Sequence, residues 1–201
     1  MKIVCGGQAL TIPDCLEQMD TYPDDPPGSV SYGMQTDKTA NFMLIYPIAC
    51  DKAMPFHTST IIVDSIHKSL ADNQGIIKVD AGKTASGKRY VYSIVKSGKE
   101  PSGVQYILVL QIENSDQVLN IQSFYDEIGV TGIRDSAVYE LALREGKVRN
   151  TFEGWMEDPY DPSYIKGLRM NISERPEYDV LFPDHALSVL RRFLREVIQN
   201  N

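Results

Sequence analysis

The sequence predicts an α+β fold, with a twisted antiparallel sheet of about six strands sandwiched between helices. Three observations predict it. Ile76–Asp80, Arg89–Ser97, Val104–Ile112 and Gln117–Tyr125 are four consecutive runs rich in Val, Ile, Leu and Tyr. Between them, Ala81–Lys88, Gly98–Gly103 and Glu113–Asp116 carry Gly, Pro, Ser, Asn and Asp, the turn chemistry that joins an antiparallel meander. Outside the meander stand three segments with apolar residues at helical spacing, which can cover its faces.

From the N-terminus, the first forty residues read as irregular and acidic, with Asp14, Glu17, Asp20, Asp24, Asp25 and Asp37 against Lys2 and Lys38. Pro23-Asp24-Asp25-Pro26-Pro27-Gly28 can be neither helix nor central strand, because proline fixes φ and removes a donor. It is expected as an exposed turn leading into a strand near Ser29–Gln35. Asn41–Ile48 is apolar on both faces, as is Val104–Ile112, so both are expected as central strands of a sheet covered on two sides. Thr58–Asn73 opens on good capping residues, spaces Ile62, Ile66 and Leu70 by four, and meets Gly75 as a stop. Ile133–Glu145 puts Val138, Leu141 and Ala142 on one face, offers a Glu140–Arg144 pair, and ends before Gly146. Ala186–Gln199 carries the stripe Leu187, Leu190, Leu194, Val197 and Ile198, with Asp184 placed to cap it.

The order strand, strand, long helix, four-stranded meander, helix, with the phrase Leu10-Thr11-Ile12-Pro13-Asp14, resembles the superfamily that joins Ran-GTPase nucleotide-release factors with the PsbP proteins of photosystem II. The resemblance spans Leu10–Glu145 and rests on element order. It implies a sheet between helices and a non-enzymatic binding or assembly role. Lys147–Phe182 has no counterpart in it and reads as an irregular acidic and aromatic segment within one domain spanning 1–201.

Composition narrows the function classes. The 201 residues have a net charge of −7, which opposes nonspecific nucleic-acid binding and anionic membrane surfaces. Three cysteines without Cys-x-x-Cys spacing, and no apolar leader, favour a reducing cytoplasm. Gly82-Lys83-Thr84-Ala85-Ser86-Gly87-Lys88 matches the start of a phosphate-binding loop. The position that needs Ser or Thr is Arg89, however, and a strand follows instead of a helix, so a hairpin loop is expected. His57, His67 and His185 lack metal-site spacing, and no metal or other cofactor is expected. Cys50 with His57 lacks an orienting third residue, and Cys50 is expected as a small buried residue at a strand end. Arg134 can hold an anion, but more simply pairs with Asp135 or Glu140. Arg191, Arg192 and Arg195 read as a solvated basic face.

Phe152–Tyr164 is the most suggestive surface. It holds the only tryptophan, Trp155, with Tyr160 and Tyr164, beside Asp158 and Asp161. Its acids lack the dense Asp/Asn alternation of a calcium loop. Exposed aromatics beside carboxylates would dock a basic protein partner. Folded inward, the same aromatics would be a satellite core. The expected function is a protein-binding or assembly module. A ligand-binding protein or enzyme with a sheet-edge site using Cys50, His57 or Arg134, and a self-associating homodimeric subunit, are the alternatives.

Overall fold

The computed structural model describes residues 1–56, 59–100, 103–114, 116–149 and 151–201, with the side chain of Ser59 also left aside. His57 and Thr58, and with them the Cys50–His57 pair and the expected helix cap, lie outside the described residues.

The meander forms where the sequence places it. Strands β6 (Gln74–Lys83), β7 (Arg89–Gly98), β8 (Val104–Glu113) and β9 (Val118–Glu127) pair antiparallel in succession. β4 (Val30–Gln35) and β5 (Thr39–Ile48) extend the sheet beyond β9, and a short β3 (Glu17–Met19) closes its far edge. The resulting order is β3-β4-β5-β9-β8-β7-β6, which puts β5 and β8 inside the sheet.

The first forty residues are more regular than expected. β1 (Lys2–Cys5) and β2 (Gln8–Thr11) form a separate hairpin, and β3 adds a seventh strand to the main sheet. Gly6 and Gly7 turn the hairpin with φ of 57° and 74°, the two left-handed residues of a type I′ turn. Alternation then drives Ile3, Cys5 and Leu10 into the core.

Three helices dress the sheet. α3 (Ala186–Asn200) lays Leu187, Leu190, Leu194 and Val197 on Leu108, Leu110 and Ile121. α1 (Ser59–Ser69) covers the opposite face near β6, where Ile62 and Val63 meet Ile76, Val79 and Val91. Tyr90, Tyr92 and Ile94 of β7 face the α3 side, while Val91 faces α1, as the two-residue period of a strand requires. α2 (Ile133–Arg144) packs on the segment after it, with Val138, Ala142, Val148, Trp155, Ile172 and Tyr178 forming a second small core.

Several local expectations change. β8 is buried along the α3 face, whereas on the other face Gln111 is buried but Ile107 and Val109 are only half-buried, because the short α1 packs over β6. Leu141 of α2 points outward, because the face that meets the second core carries Val138 and Ala142, flanked by Tyr139 and Leu143. Gly75 is a strand residue and no helix stop: a Cβ there would sit 1.9 Å from the Leu168 carbonyl oxygen, so only glycine lets that chain cross. α3 is capped by His185 in place of Asp184, its Nδ1 accepting from Leu187 N–H at 3.1 Å.

Candidate functional site

Phe152–Tyr164 runs as a strap along the outer edge of β6. Trp155 is only 7% exposed, its indole edge-on to Tyr139 at 5.1 Å. Asp158 is buried: Oδ1 accepts from the N–H groups of Tyr160 and Asp161, and Oδ2 lies 2.9 Å from His67 Nε2. Tyr164 stacks on the His67 ring at 4.0 Å. The Tyr160 hydroxyl accepts from Val79 N–H at 2.6 Å and donates to Val79 O at 3.0 Å. An edge strand leaves such groups without partners, and Tyr160 supplies both. Asp161 is exposed, and hydrogen bonds from the Ser163 hydroxyl and N–H hold its carboxyl below the ordinary value. The structure thus gathers the five residues of the expected docking patch, with Trp155 and Asp158 turned inward and the two tyrosines engaged with β6 and α1.

Behind the strap lies a buried polar network that the sequence did not announce. Lys96 Nζ meets Glu174 Oε2 at 2.6 Å, both side chains 1% exposed. Glu174 Oε1 accepts from the Tyr106 hydroxyl at 3.1 Å, and its Oε2 accepts from Asn171 N–H, completing a capping box on the 3-10 turn Ile172–Glu174. Burial, then the Glu174 carboxylate, pushes the Tyr106 phenol well up, so it stays a donor. Arg191, expected on a solvated face, is buried here and reaches Asp179 at 2.9 Å and the Glu174 carbonyl at 2.6 Å, while Arg192 and Arg195 remain exposed. Burial is the largest influence on Arg191 and lowers its pKa.

Arg134 pairs with neither Asp135 nor Glu140. It is buried, and all five of its N–H groups find acceptors. Nε donates to Ser173 O at 2.7 Å. Nη1 donates to Ser188 Oγ at 2.8 Å and faces His185 Nδ1 at 3.4 Å. Nη2 donates to Arg175 O at 3.2 Å and Asp179 Oδ1 at 3.0 Å. Asp135 instead accepts from Ser173 and Asn171, and Glu140 pairs with Arg144 as their spacing predicts.

A cleft of about 440 Å³ opens above Arg134, between the β9–α2 turn and the loop entering α3. Its walls are Ile128, Val130, Ile133, Leu181, Phe182 and Pro183, its mouth carries Asp37, Lys38 and Asp184, and its floor holds Glu127, Arg134 and His185. Because His185 Nδ1 accepts the cap bond from Leu187, the ring proton sits on Nε2, which faces Glu127 Oε1 at 3.2 Å. Glu127 Oε2 accepts from Gly132 N–H at 3.3 Å. Burial pushes the Glu127 carboxyl up, but the His185 and Gly132 N–H groups and the Arg134 charge outweigh it and hold the pKa below the ordinary value. Glu127 carried no sequence signal, since Asp126-Glu127 reads as the polar end of a strand.

The other candidates are placed plainly. Cys50 is exposed on the 3-10 turn Cys50–Lys52, not buried, because β5 ends at Ile48 and the chain turns into solvent. Gly82–Lys88 is the end of β6 and its hairpin connection to β7, and two of its amides face the end of α3: Ala85 N–H donates to Ile198 O and Ser86 N–H to Asn201 O. Amides that would cradle phosphate are spent on a helix C-terminus. Among the described residues no group of three His, Cys, Asp or Glu side chains gathers with metal-ligand spacing, and no helix is long and apolar enough to cross a membrane.

No protein family and no curated protein matches the sequence. Among solved structures, the chain is similar to a mutant of protein Mog1, at 12% identity and a TM-score of 0.45 over 70% of this chain and 82% of that one. It is similar to the Ran-binding protein Mog1p of Saccharomyces cerevisiae, at 13% identity and a TM-score of 0.43 over 67% of this chain and 79% of that one. Cyanobacterial PsbP (CyanoP) of Synechocystis sp. PCC 6803 follows at 17% identity and a TM-score of 0.39, over 66% of this chain and 79% of that one.

Proposed function

We propose that the chain is a single-domain, non-enzymatic binding module of the cytoplasm that docks a segment of a protein partner in the cleft between Glu127 and His185. The observation that carries this reading is the rim. Val130, Ile133 and Leu181 are 77%, 53% and 62% exposed and converge on one concavity. Single exposed hydrophobes need no explanation, but apolar side chains gathered round a cleft are what a docking site presents. The floor favours binding over catalysis: Arg134 and His185 are committed to internal hydrogen bonds, and no serine, threonine or cysteine lines the cleft among the described residues. The strap is the weaker docking surface, since its aromatic anchors hold the fold.

A small-molecule site is the second reading, because about 440 Å³ falls within the size of known ligand pockets.

A photo-crosslinking residue at Leu181 tests the proposal in cells, with the same residue at the still more exposed Ile165 as control. A discrete protein adduct is expected from Leu181 alone, and it should vanish when Val130→Asp is added. No adduct, or equal adducts at both positions, overturns the docking reading. A small molecule retained in native mass spectrometry, and lost in Val130→Asp, favours the second reading.

A further inference from the structure

The floor of the cleft has one unspent hydrogen-bonding group, and it is an acceptor. Every N–H of Arg134 is engaged, and His185 uses one nitrogen to cap α3 and turns the other to Glu127. A carboxylate offers about four lone-pair sites. Among the described residues Glu127 meets only the His185 Nε2 and Gly132 N–H donors, so capacity remains toward the cleft.

The surrounding charge has the same sense. On and below the floor, Glu127, Asp135, Glu174 and Asp179 stand against Lys96, Arg134 and Arg191. At the mouth, Asp37 and Asp184 face Lys38, which already lies 3.8 Å from Asp184. Carboxylates outnumber cations in both layers. An anion would find no free donor on the floor, and a purely apolar occupant would bury an ionised carboxylate without a partner, which is costly.

We infer that the cleft receives a basic partner segment through one lysine or arginine side chain, its methylene stem against the apolar walls and its charged head on Glu127. Long cationic side chains have this amphipathic build. The inference rests on the docking reading above and adds the chemistry of the partner. Specificity follows from the floor: a partner without a donor at that position leaves Glu127 desolvated and unpaired.

The test is an amide chemical-shift titration of the full ¹⁵N-labelled chain with a capped pentapeptide carrying lysine between two leucines. The same peptide with norleucine or acetyl-lysine in place of lysine is the comparison. The lysine peptide should shift the amides of Ile128–Gly132, Leu181 and His185, and bind about tenfold or more tightly than either comparison peptide, as charge-assisted bonds do. Glu127→Gln keeps an acceptor for His185 and should erase that preference. Asp37→Asn, at the exposed mouth, should weaken the lysine peptide by about two- to threefold at low salt. Equal binding of the norleucine peptide, or a lysine preference that survives Glu127→Gln, overturns the inference while leaving apolar docking intact. If no peptide shifts these amides at millimolar concentration, the cation inference falls, and crosslinking at Leu181 decides the docking reading separately.

Discussion

The strap Phe152–Tyr164 and the cleft between Glu127 and His185 are built from similar residue types, large apolar side chains interleaved with carboxylates. They use them in opposite directions. In the strap, Trp155 enters the core of α2, Asp158 is saturated by two backbone amides and His67, and Tyr160 satisfies the edge of β6. In the cleft, the apolar side chains of Val130 and Leu181 stay in solvent, and Glu127 retains free acceptor sites. The difference comes from what each segment must close. The outer edge of β6 presents backbone groups that need partners; the strap supplies them through Tyr160, and the chain just after it through Leu168 N–H on Gln74 O. The β9–α2 turn has no sheet edge to cover, so its side chains are left for something else.

The largest expected effect would break the comparison at the strap. Trp155→Ala should cost about 3–5 kcal/mol in urea unfolding, as truncation of a buried aromatic does. In the wild type, emission from this single tryptophan should be blue-shifted and resist acrylamide. A cost below about 1 kcal/mol, with red-shifted emission, would place Trp155 on the surface and remove the contrast.

Tyr160→Phe should cost about 1–3 kcal/mol, because it strips the partner from a backbone donor and acceptor of β6. Hydrogen exchange at Val79 should accelerate in that variant. Unchanged exchange would mean that the strap does not close the edge.

A smaller effect belongs to Glu127. Its folded pKa lies below the ordinary value of 4.5. The stability it contributes is therefore fully present above that value and lost as pH falls through the folded pKa. Glu127→Gln should flatten the acid limb of a stability-against-pH profile below about pH 4.5 and lower stability modestly at neutral pH, where the carboxylate's contribution is fully present. A limb as steep as that of the wild type would show that the carboxylate is not held in its charged form.

Leu181→Asp should have the smallest effect on the fold, within about 0.5 kcal/mol, since the side chain touches mostly solvent. It should nonetheless abolish the adduct captured by a photo-crosslinking residue placed at Val130 on the same rim. A large loss of stability would make the rim structural and erase the distinction from the strap.

The expectations that held rest on local pattern. Apolar, β-branched runs broken by turn residues mark β4 to β9, and helical spacing of apolar residues marks α1 and α3, because propensity, turn chemistry and periodicity act within a few residues. The Gly6-Gly7 hairpin was legible by the same rule, but is hidden by the acidic composition that follows it. The site was not legible in this way. Glu174 lies 78 positions from Lys96, and Asp179 lies 45 from Arg134. No short-range pattern reports such pairs, so Arg134 looked as though it would pair with neighbours on its own helix.

By itself, the sequence determined the antiparallel meander, the helices that cover it and the acidic balance of the chain, since propensity, turn chemistry and charge are properties of neighbouring residues. Only the tertiary structure decided which aromatic residues face solvent, which arginines are buried and saturated, and that Glu127 alone on the cleft floor keeps free acceptor capacity. Exposure and hydrogen-bond satisfaction depend on what distant segments bring to a position, and those contacts exist only once the strap has closed the edge of β6 and α3 has docked on the sheet.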